Sequence, residues 1–458
     1  MILPLKDCKI TSQYGIVRDD KKLHKGIDLI STSGDRNVKA IRSGTVSFAG
    51  YDPTGFGNYV VILQEDGFKA LYCHLKSYSV KIDDVIEEGQ IIGIEGTSGK
   101  STGVHLHLEL RKAPYGRDDH INIAKYLGIN NEVGMVTYIQ NYELLEYLGI
   151  MDYWRLGYKG KGITIASRES EISEHGAKVA ELLRILVSES TILIEEDYKD
   201  EINNFDIYTT SLSFNSDKLP INENKAKELF ENNKFLVCAV GNHGEDSQTA
   251  ISKNKYFQSI GACKLKDGVP KREYYSSVTD DIDFMCLTGF KLSKDTFDYT
   301  SCAGPIFASM ICLLQCATLD KLKRKLANAE LLKLIKDNCI DLEEKGFDVK
   351  TGHGLLILPK PWSINFEKYI EQEEEEMSVI KRLIDDYGEE LVEEYFRTGL
   401  EKMKNKNEIP SWADEKTKAE YEEAKNLGIT DGTRPQDNAT RFETAIMVKR
   451  AIKNAQKK

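Results

Sequence analysis

The spacing of apolar residues changes character at three places along this 458-residue chain, and those changes bound its fold more tightly than any one motif. Up to about residue 129, glycines separate short apolar runs such as Tyr59-Val60-Val61-Ile62-Leu63 and Gln90-Ile91-Ile92-Gly93-Ile94. Such runs are too short for helices, and they predict an all-β unit. From about 140 to 362, strand-like runs (Ile163-Thr164-Ile165-Ala166, Phe235-Leu236-Val237-Cys238-Ala239-Val240) alternate with helix-like ones (Ala177 to Leu186, Ala308 to Thr318). That alternation predicts an α/β layer with a parallel sheet. After Pro359-Lys360-Pro361, an acidic stretch carrying Glu373 to Glu376 predicts a solvated helical linker over 363–408. A small α-helical module is expected over 409–458, so the fold class is multidomain: all-β, then α/β, then helical.

Composition narrows the partners. Asp and Glu outnumber Lys and Arg by 73 to 62, a net charge of −11, and an acidic surface argues against nucleic acid. With no run of about 18 apolar residues, no membrane span is expected. The start, Met1-Ile2-Leu3-Pro4-Leu5-Lys6-Asp7, lacks the basic-then-apolar pattern of a secretory signal, so synthesis in the cytoplasm is expected. Nine cysteines without a CxxC pair fit reduced, buried thiols.

Of eight histidines in the chain, four fall in the first 110 residues. His24 lies in Leu23-His24-Lys25-Gly26-Ile27-Asp28, His74 in Leu71-Tyr72-Cys73-His74-Leu75, and the others form His105-Leu106-His107. On a strand, alternation puts His105 and His107 on one face. Two imidazoles plus one carboxylate, with a position left to water, make the ligand set of a catalytic zinc site. Cys73 reads as a small buried neighbour.

The order HxxxD, then Y-x-H-L, then HxH, with Gly96-Thr97-Ser98-Gly99-Lys100-Ser101-Thr102-Gly103 ahead of the last, resembles the lysostaphin-like zinc endopeptidases over most of residues 9–112. Those enzymes cut peptide cross-links in bacterial cell walls. The resemblance implies that His24, Asp28 and His107 hold Zn2+, and that His74 and His105 flank the water to be activated. Such an ion lowers the pKa of water toward about 7 and polarises the scissile carbonyl, and a neighbouring imidazole then takes the proton or stabilises the tetrahedral oxyanion.

Further along come Ile163-Thr164-Ile165-Ala166-Ser167-Arg168-Glu169, His175-Gly176-Ala177, Gly241-Asn242-His243-Gly244 and Thr300-Ser301-Cys302-Ala303-Gly304-Pro305, with Ser211-Leu212-Ser213 between them. A serine needs a base, an acid to orient that base and a donor for the oxyanion. These segments resemble the subtilisin-like serine proteases over about 140–357. The resemblance implies Ser301 as nucleophile, His175 as base, Asn242 as oxyanion donor and Glu169 as the acid. Glu169 stands where that family has aspartate, and its spacing to His175 is short. An added methylene moves the carboxylate by about 1.5 Å, and misplacement by about 1 Å costs on the order of 100-fold in rate. Glu171 and Glu174 are nearby substitutes.

In the last unit, an amphipathic helix ends at Gly428 and a capping box, Thr440-Arg441-Phe442-Glu443, opens another. This resembles one S-layer-homology module, which implies binding to a cell-wall polymer through Arg441. A single copy lacks avidity unless the chain forms oligomers. The expected protein is a peptidoglycan hydrolase of phage or prophage kind, acting at the wall after release or as a virion component, with the serine domain serving self-processing. The alternatives are a chain whose main activity is the serine protease, and a wall-binding adaptor with inactive catalytic domains.

Overall fold

The computed structural model describes residues 2–18, 21–194, 204–212, 221–244 and 251–370. The expected linker beyond residue 370, the module at 409–458 with Arg441, and Ser213 lie outside the described residues. The chain divides into two compact units, the first made of Met1–Leu319 with Leu331–Ile364. The second, Asp320–Glu330 with Asn365–Lys458, is described over 320–330 and 365–370; there Arg324 forks onto Glu330 through two contacts of 2.9 Å.

Within the first unit, the early apolar runs become an antiparallel sheet. Its order is Gly134–Met135, Cys8–Ser12, Gly26–Ser31, Leu106–Arg111, Lys69–Leu75, Gly57–Gln64, Gly44–Asp52 and Val85–Ile86. Ile10, Ile27, Leu29, Val46, Val60, Ile62, Tyr72, Leu106, Leu108 and Leu110 pack into one core. The β-only expectation for this region omits one short helix, Ile123–Leu127, which Asn122 caps by accepting the Lys125 N–H and which Gly128 closes at φ +71°. A capped stretch of five residues is too short for helical periodicity to reveal.

The later alternation becomes a second sheet, ordered Thr191–Ile194, Thr164–Ser167, Ile207–Thr210, Phe235–Ala239, Phe257–Lys266, Phe284–Leu287, Leu355–Leu356 and Cys339–Ile340. All neighbours in that order pair in parallel except the last two strands. Helix Thr300–Leu322 is long and apolar enough, by length and composition, to cross a membrane, but the protein itself buries nearly all of it. A helix apolar on every side needs such a surround.

A buried ionic seam joins the first sheet's region to the helices that lead into the second sheet. Arg42 of the β half reaches Asp152 Oδ1 (2.8 Å) on helix Ile150–Arg155 and stacks over the Trp362 ring at 4.8 Å. Arg155 returns the contact, pairing with Asp152 (2.7 Å) and Glu146 (2.8 Å) and donating from Nε to the Tyr126 carbonyl (2.8 Å). Asp66, buried behind Arg42, accepts from the Tyr126 hydroxyl.

Candidate metal centre

Strand register assembles the site. Leu106–Arg111 runs between Gly26–Ser31 and Lys69–Leu75, so that His107 stands opposite Asp28 on one side and Cys73 on the other. Close approach of the first pair requires Gly26, because a Cβ there would lie 2.3 Å from the Leu108 carbonyl oxygen. His74 follows Cys73 at the strand's end, at φ +63°. His105 precedes the strand and is held by a bridge to Gly96.

Three ligand atoms converge from these elements. His24 Nε2 lies 3.1 Å from Asp28 Oδ1 and 3.1 Å from His107 Nδ1, and His107 Nδ1 lies 2.7 Å from Asp28 Oδ1. The outward ring atoms determine what the inward ones offer. His24 Nδ1 donates to the Gln13 carbonyl (2.8 Å), and His107 Nε2 donates to Glu109 Oε1 (3.1 Å), while Arg111 grips Oε2 of the same carboxylate through Nε and Nη2. With those protons placed outward, Nε2 of His24, Nδ1 of His107 and Oδ1 of Asp28 are three acceptors facing one another, an arrangement that calls for a cation. A tetrahedral ion with bonds of about 2.0–2.1 Å spaces its ligands roughly 3.3 Å apart. The group therefore fits Zn2+ after small outward shifts.

The electrostatics mark the same spot as one that takes positive charge, with protons on the inward ring nitrogens having the effect a cation would have. Burial opposes ionisation of Asp28, but hydrogen bonds from His107 and His24 outweigh it and hold its carboxyl well below the usual range. Burial also opposes charge on His107, yet Asp28 and Glu109 on either side lift it to about 9. Glu109 is held down at about 2, burial being outweighed by His107 and Arg111. His74 is pushed down to about 4 by burial and is neutral; its Nδ1 donates to the Ser98 carbonyl (2.9 Å), leaving Nε2 as acceptor. His105 is arranged the same way, with Nδ1 on the Gly103 carbonyl (2.8 Å) and Nε2 3.8 Å from Asp28 Oδ1. The two rings lie 4.8 Å apart, so all five expected residues meet in one place. Cys73 is buried among Val61, Leu71, Phe48, Phe56 and Tyr59, and burial pushes its thiol well up.

Glu109, Arg111 and Arg18 were not anticipated. The first two share a face with His107 by strand alternation, a signal the sequence did carry. Arg18, whose Nη2 reaches Asp28 Oδ2 at 2.8 Å, had none.

A second cluster lies at the carboxyl ends of adjacent parallel strands, where α/β sheets bind ligands. Glu169 follows Thr164–Ser167, Ser211 follows Ile207–Thr210, and Asn242 follows Phe235–Ala239. Glu169 Oε2 lies 3.2 Å from His175 Nδ1, oriented outside hydrogen-bond geometry, while Oε1 accepts from the Ser211 N–H (2.6 Å). Asn242 Oδ1 accepts from the Thr300 N–H (3.0 Å) and hydroxyl (2.8 Å), and Ser211 Oγ donates to the Ser301 carbonyl (3.0 Å). Ser301 lies in the first turn of its helix, after Tyr299 at φ +70°. The alternative acids are engaged elsewhere, Glu171 with Arg184 and Glu174 with Lys178. Among the described residues, no hydrogen bond joins Ser301 to His175.

Residues 22–122 match the model of Peptidase family M23, whose members are zinc metallopeptidases. Over 119 residues the chain is 35% identical to lysostaphin of Staphylococcus simulans, covering 25% of this chain and 24% of that protein. Over 114 residues it is 36% identical to the DD-carboxypeptidase/endopeptidase Mpg of Neisseria meningitidis, covering 24% of this chain and 26% of that one. The solved catalytic domain of the antimicrobial peptidase lysostaphin from S. simulans matches at 32% identity with a TM-score of 0.24, over 26% of this chain and 91% of that one. The chain thus spans about a quarter of the length of the curated relatives it matches.

Proposed function

We propose that this chain is a zinc-dependent endopeptidase acting on the peptide cross-links of bacterial peptidoglycan, taking as premise the M23 match over residues 22–122. The observation that carries the reading is the convergence of His24 Nε2, Asp28 Oδ1 and His107 Nδ1, with the outward ring nitrogens already committed. When bound, Zn2+ supplies Lewis acidity and makes water acidic enough to deprotonate near neutral pH. The chain's own groups do the rest. Nε2 of neutral His74 accepts a proton, the Ser98 carbonyl keeps its ring oriented, and His105 presents Nε2 from a ring 4.8 Å away. A positioned imidazole of this kind contributes typically 10²–10⁴-fold. The relatives' names, a DD-carboxypeptidase/endopeptidase and a glycyl-glycine endopeptidase among them, support a wall peptide as substrate.

The test is clearing of purified walls. The intact chain should reduce turbidity, a chelator should abolish the effect, added zinc should restore it, and His107→Ala should be inert. An intact chain that clears nothing under any condition would leave a wall-binding adaptor. The place of action on this reading is the bacterial wall, and a phage or prophage lysin is the kind of protein it suits; the sequence resemblances at 9–112 and 409–458 support that.

A second reading adds a serine peptidase in the α/β half, used on the chain itself. It is favoured by Glu169 reaching His175 despite its extra methylene, while Asn242 braces the residue before Ser301. Fragments seen by mass spectrometry that vanish in Ser301→Ala would support it. A chain that stays intact on prolonged incubation would count against it.

A further inference from the structure

Among the described residues, Arg18 is the one cation placed on a ligand of the proposed metal centre by an element that also carries a ligand. Residues 15–18 and 22–24 form the two arms of a hairpin, held by Arg18 N–H to the Lys22 carbonyl (2.9 Å), His24 N–H to the Ile16 carbonyl (2.8 Å) and Gly15 N–H to the His24 carbonyl (2.9 Å). One arm delivers His24 to the centre and the other delivers Arg18. The guanidinium Nη2 takes Asp28 Oδ2 at 2.8 Å, while Oδ1 of the same carboxylate faces His24 and His107. The Asp28 side chain is 10% exposed and that of Arg18 46%, so the pair spans the boundary between the buried ligands and the solvent.

From this geometry we infer that Arg18 is a positioning residue: it occupies Oδ2 so that Asp28 offers Oδ1 alone to the ion. A carboxylate can bind a cation through one oxygen or two. A catalytic zinc site needs three protein ligand atoms and an open position, and a second oxygen from Asp28 would compete for that position. The charge on Arg18 also draws electron density from Asp28, so its presence weakens metal affinity slightly while keeping the site open. This role rests on the zinc-peptidase reading above. Lysine keeps the charge but not the planar guanidinium that delivers Nη2 to Asp28 Oδ2.

The experiment uses the full chain, wild type and with Arg18→Ala or Arg18→Lys, loaded with Co2+ in place of zinc. Far-UV circular dichroism establishes that each variant is folded. Visible absorption reads the coordination number, since four-coordinate Co2+ absorbs more strongly than five- or six-coordinate Co2+. Arg18→Ala should bind metal as tightly as wild type or more tightly in chelator competition. Its visible bands should weaken, and kcat for wall peptide should fall by about 10- to 100-fold with KM little changed. Arg18→Lys should lie between the two. A cobalt spectrum in Arg18→Ala identical to wild type overturns the inference, as does metal affinity lost in step with activity, which would make Arg18 a prop for the fold of the site. Wild-type chain that takes up Co2+ yet clears no walls would remove the peptidase reading, and the spectral comparison would still decide the role of Arg18. A wild-type chain that takes up no metal removes both.

Discussion

His107 shows how much of the site is set by single residues outside the ligand set. Its ring is clasped between Asp28 at Nδ1 and Glu109 at Nε2, and Glu109 is itself held by the fork of Arg111. Groups that orient a ligating histidine typically affect metal affinity by 10- to 100-fold. Glu109→Gln should therefore weaken zinc binding by about 10- to 100-fold in chelator competition, with the fold intact by circular dichroism. Affinity unchanged in this variant would show that the ring needs no second anchor. The five centre residues were legible in the sequence because their chemistry is rare and their spacing within each motif is short. Glu109 was recoverable by the same alternation that paired His105 with His107. Arg18 was not, since its target lies on another strand and nothing in the intervening residues points to it.

At the scale of elements, the centre depends on two strands coming closer than side chains ordinarily permit. Gly26 lies against the Leu108 carbonyl two positions along the strands from the Asp28–His107 pair, and a Cβ there would have to push backbone aside. Gly26→Ala is expected to cost about 2 kcal/mol or more in urea unfolding and to lower metal uptake with it. A variant of wild-type stability that loads normally would mean the strands tolerate the shift. A similar constraint governs the other half: Gly176, one residue after His175, would place a Cβ 2.0 Å from the Ser170 carbonyl oxygen, and its N–H is capped by Ser173 Oγ at 2.9 Å. The short spacing from Glu169 to His175 is thus closed by a capped helix start that brings the glutamate back to the imidazole. From sequence the short spacing looked like a defect; local geometry turns it into a means of reach.

For the molecule as a whole, the ionic seam welds the β half to the α/β half within the first unit. Removing one partner of a buried pair leaves the other charge uncompensated, and Asp152→Ala is expected to cost about 3 kcal/mol in urea unfolding. Acid should act on the same seam. Burial would raise the Asp152 and Glu146 carboxyls, but Arg42 and Arg155 hold Asp152 below the usual range and Arg155 does the same for Glu146. Groups with a lowered folded pKa stabilise fully above the unfolded value of about 4, and that stabilisation is lost as pH falls through the folded value. Asp66 runs the other way, its carboxyl raised by burial in spite of Arg42. The urea midpoint should fall on acidification below about pH 4, and less steeply in Asp152→Asn; equal slopes would place the acid sensitivity elsewhere.

Sequence alone determined the order of textures, β first and alternating α/β second, because apolar periodicity reports which faces of each segment must leave water. It also determined which side chains can bind a metal, because ligand chemistry belongs to residue type. Tertiary structure decided which of them meet. His24 and His107 are 83 positions apart and Asp28 and His107 are 79 apart. What closes those distances is strand register, a property of pairs of segments that no segment carries by itself. The same holds for Arg42 on Asp152, 110 positions apart: that buried ion pair exists only once the backbone has brought two faces together and excluded most of the water between them.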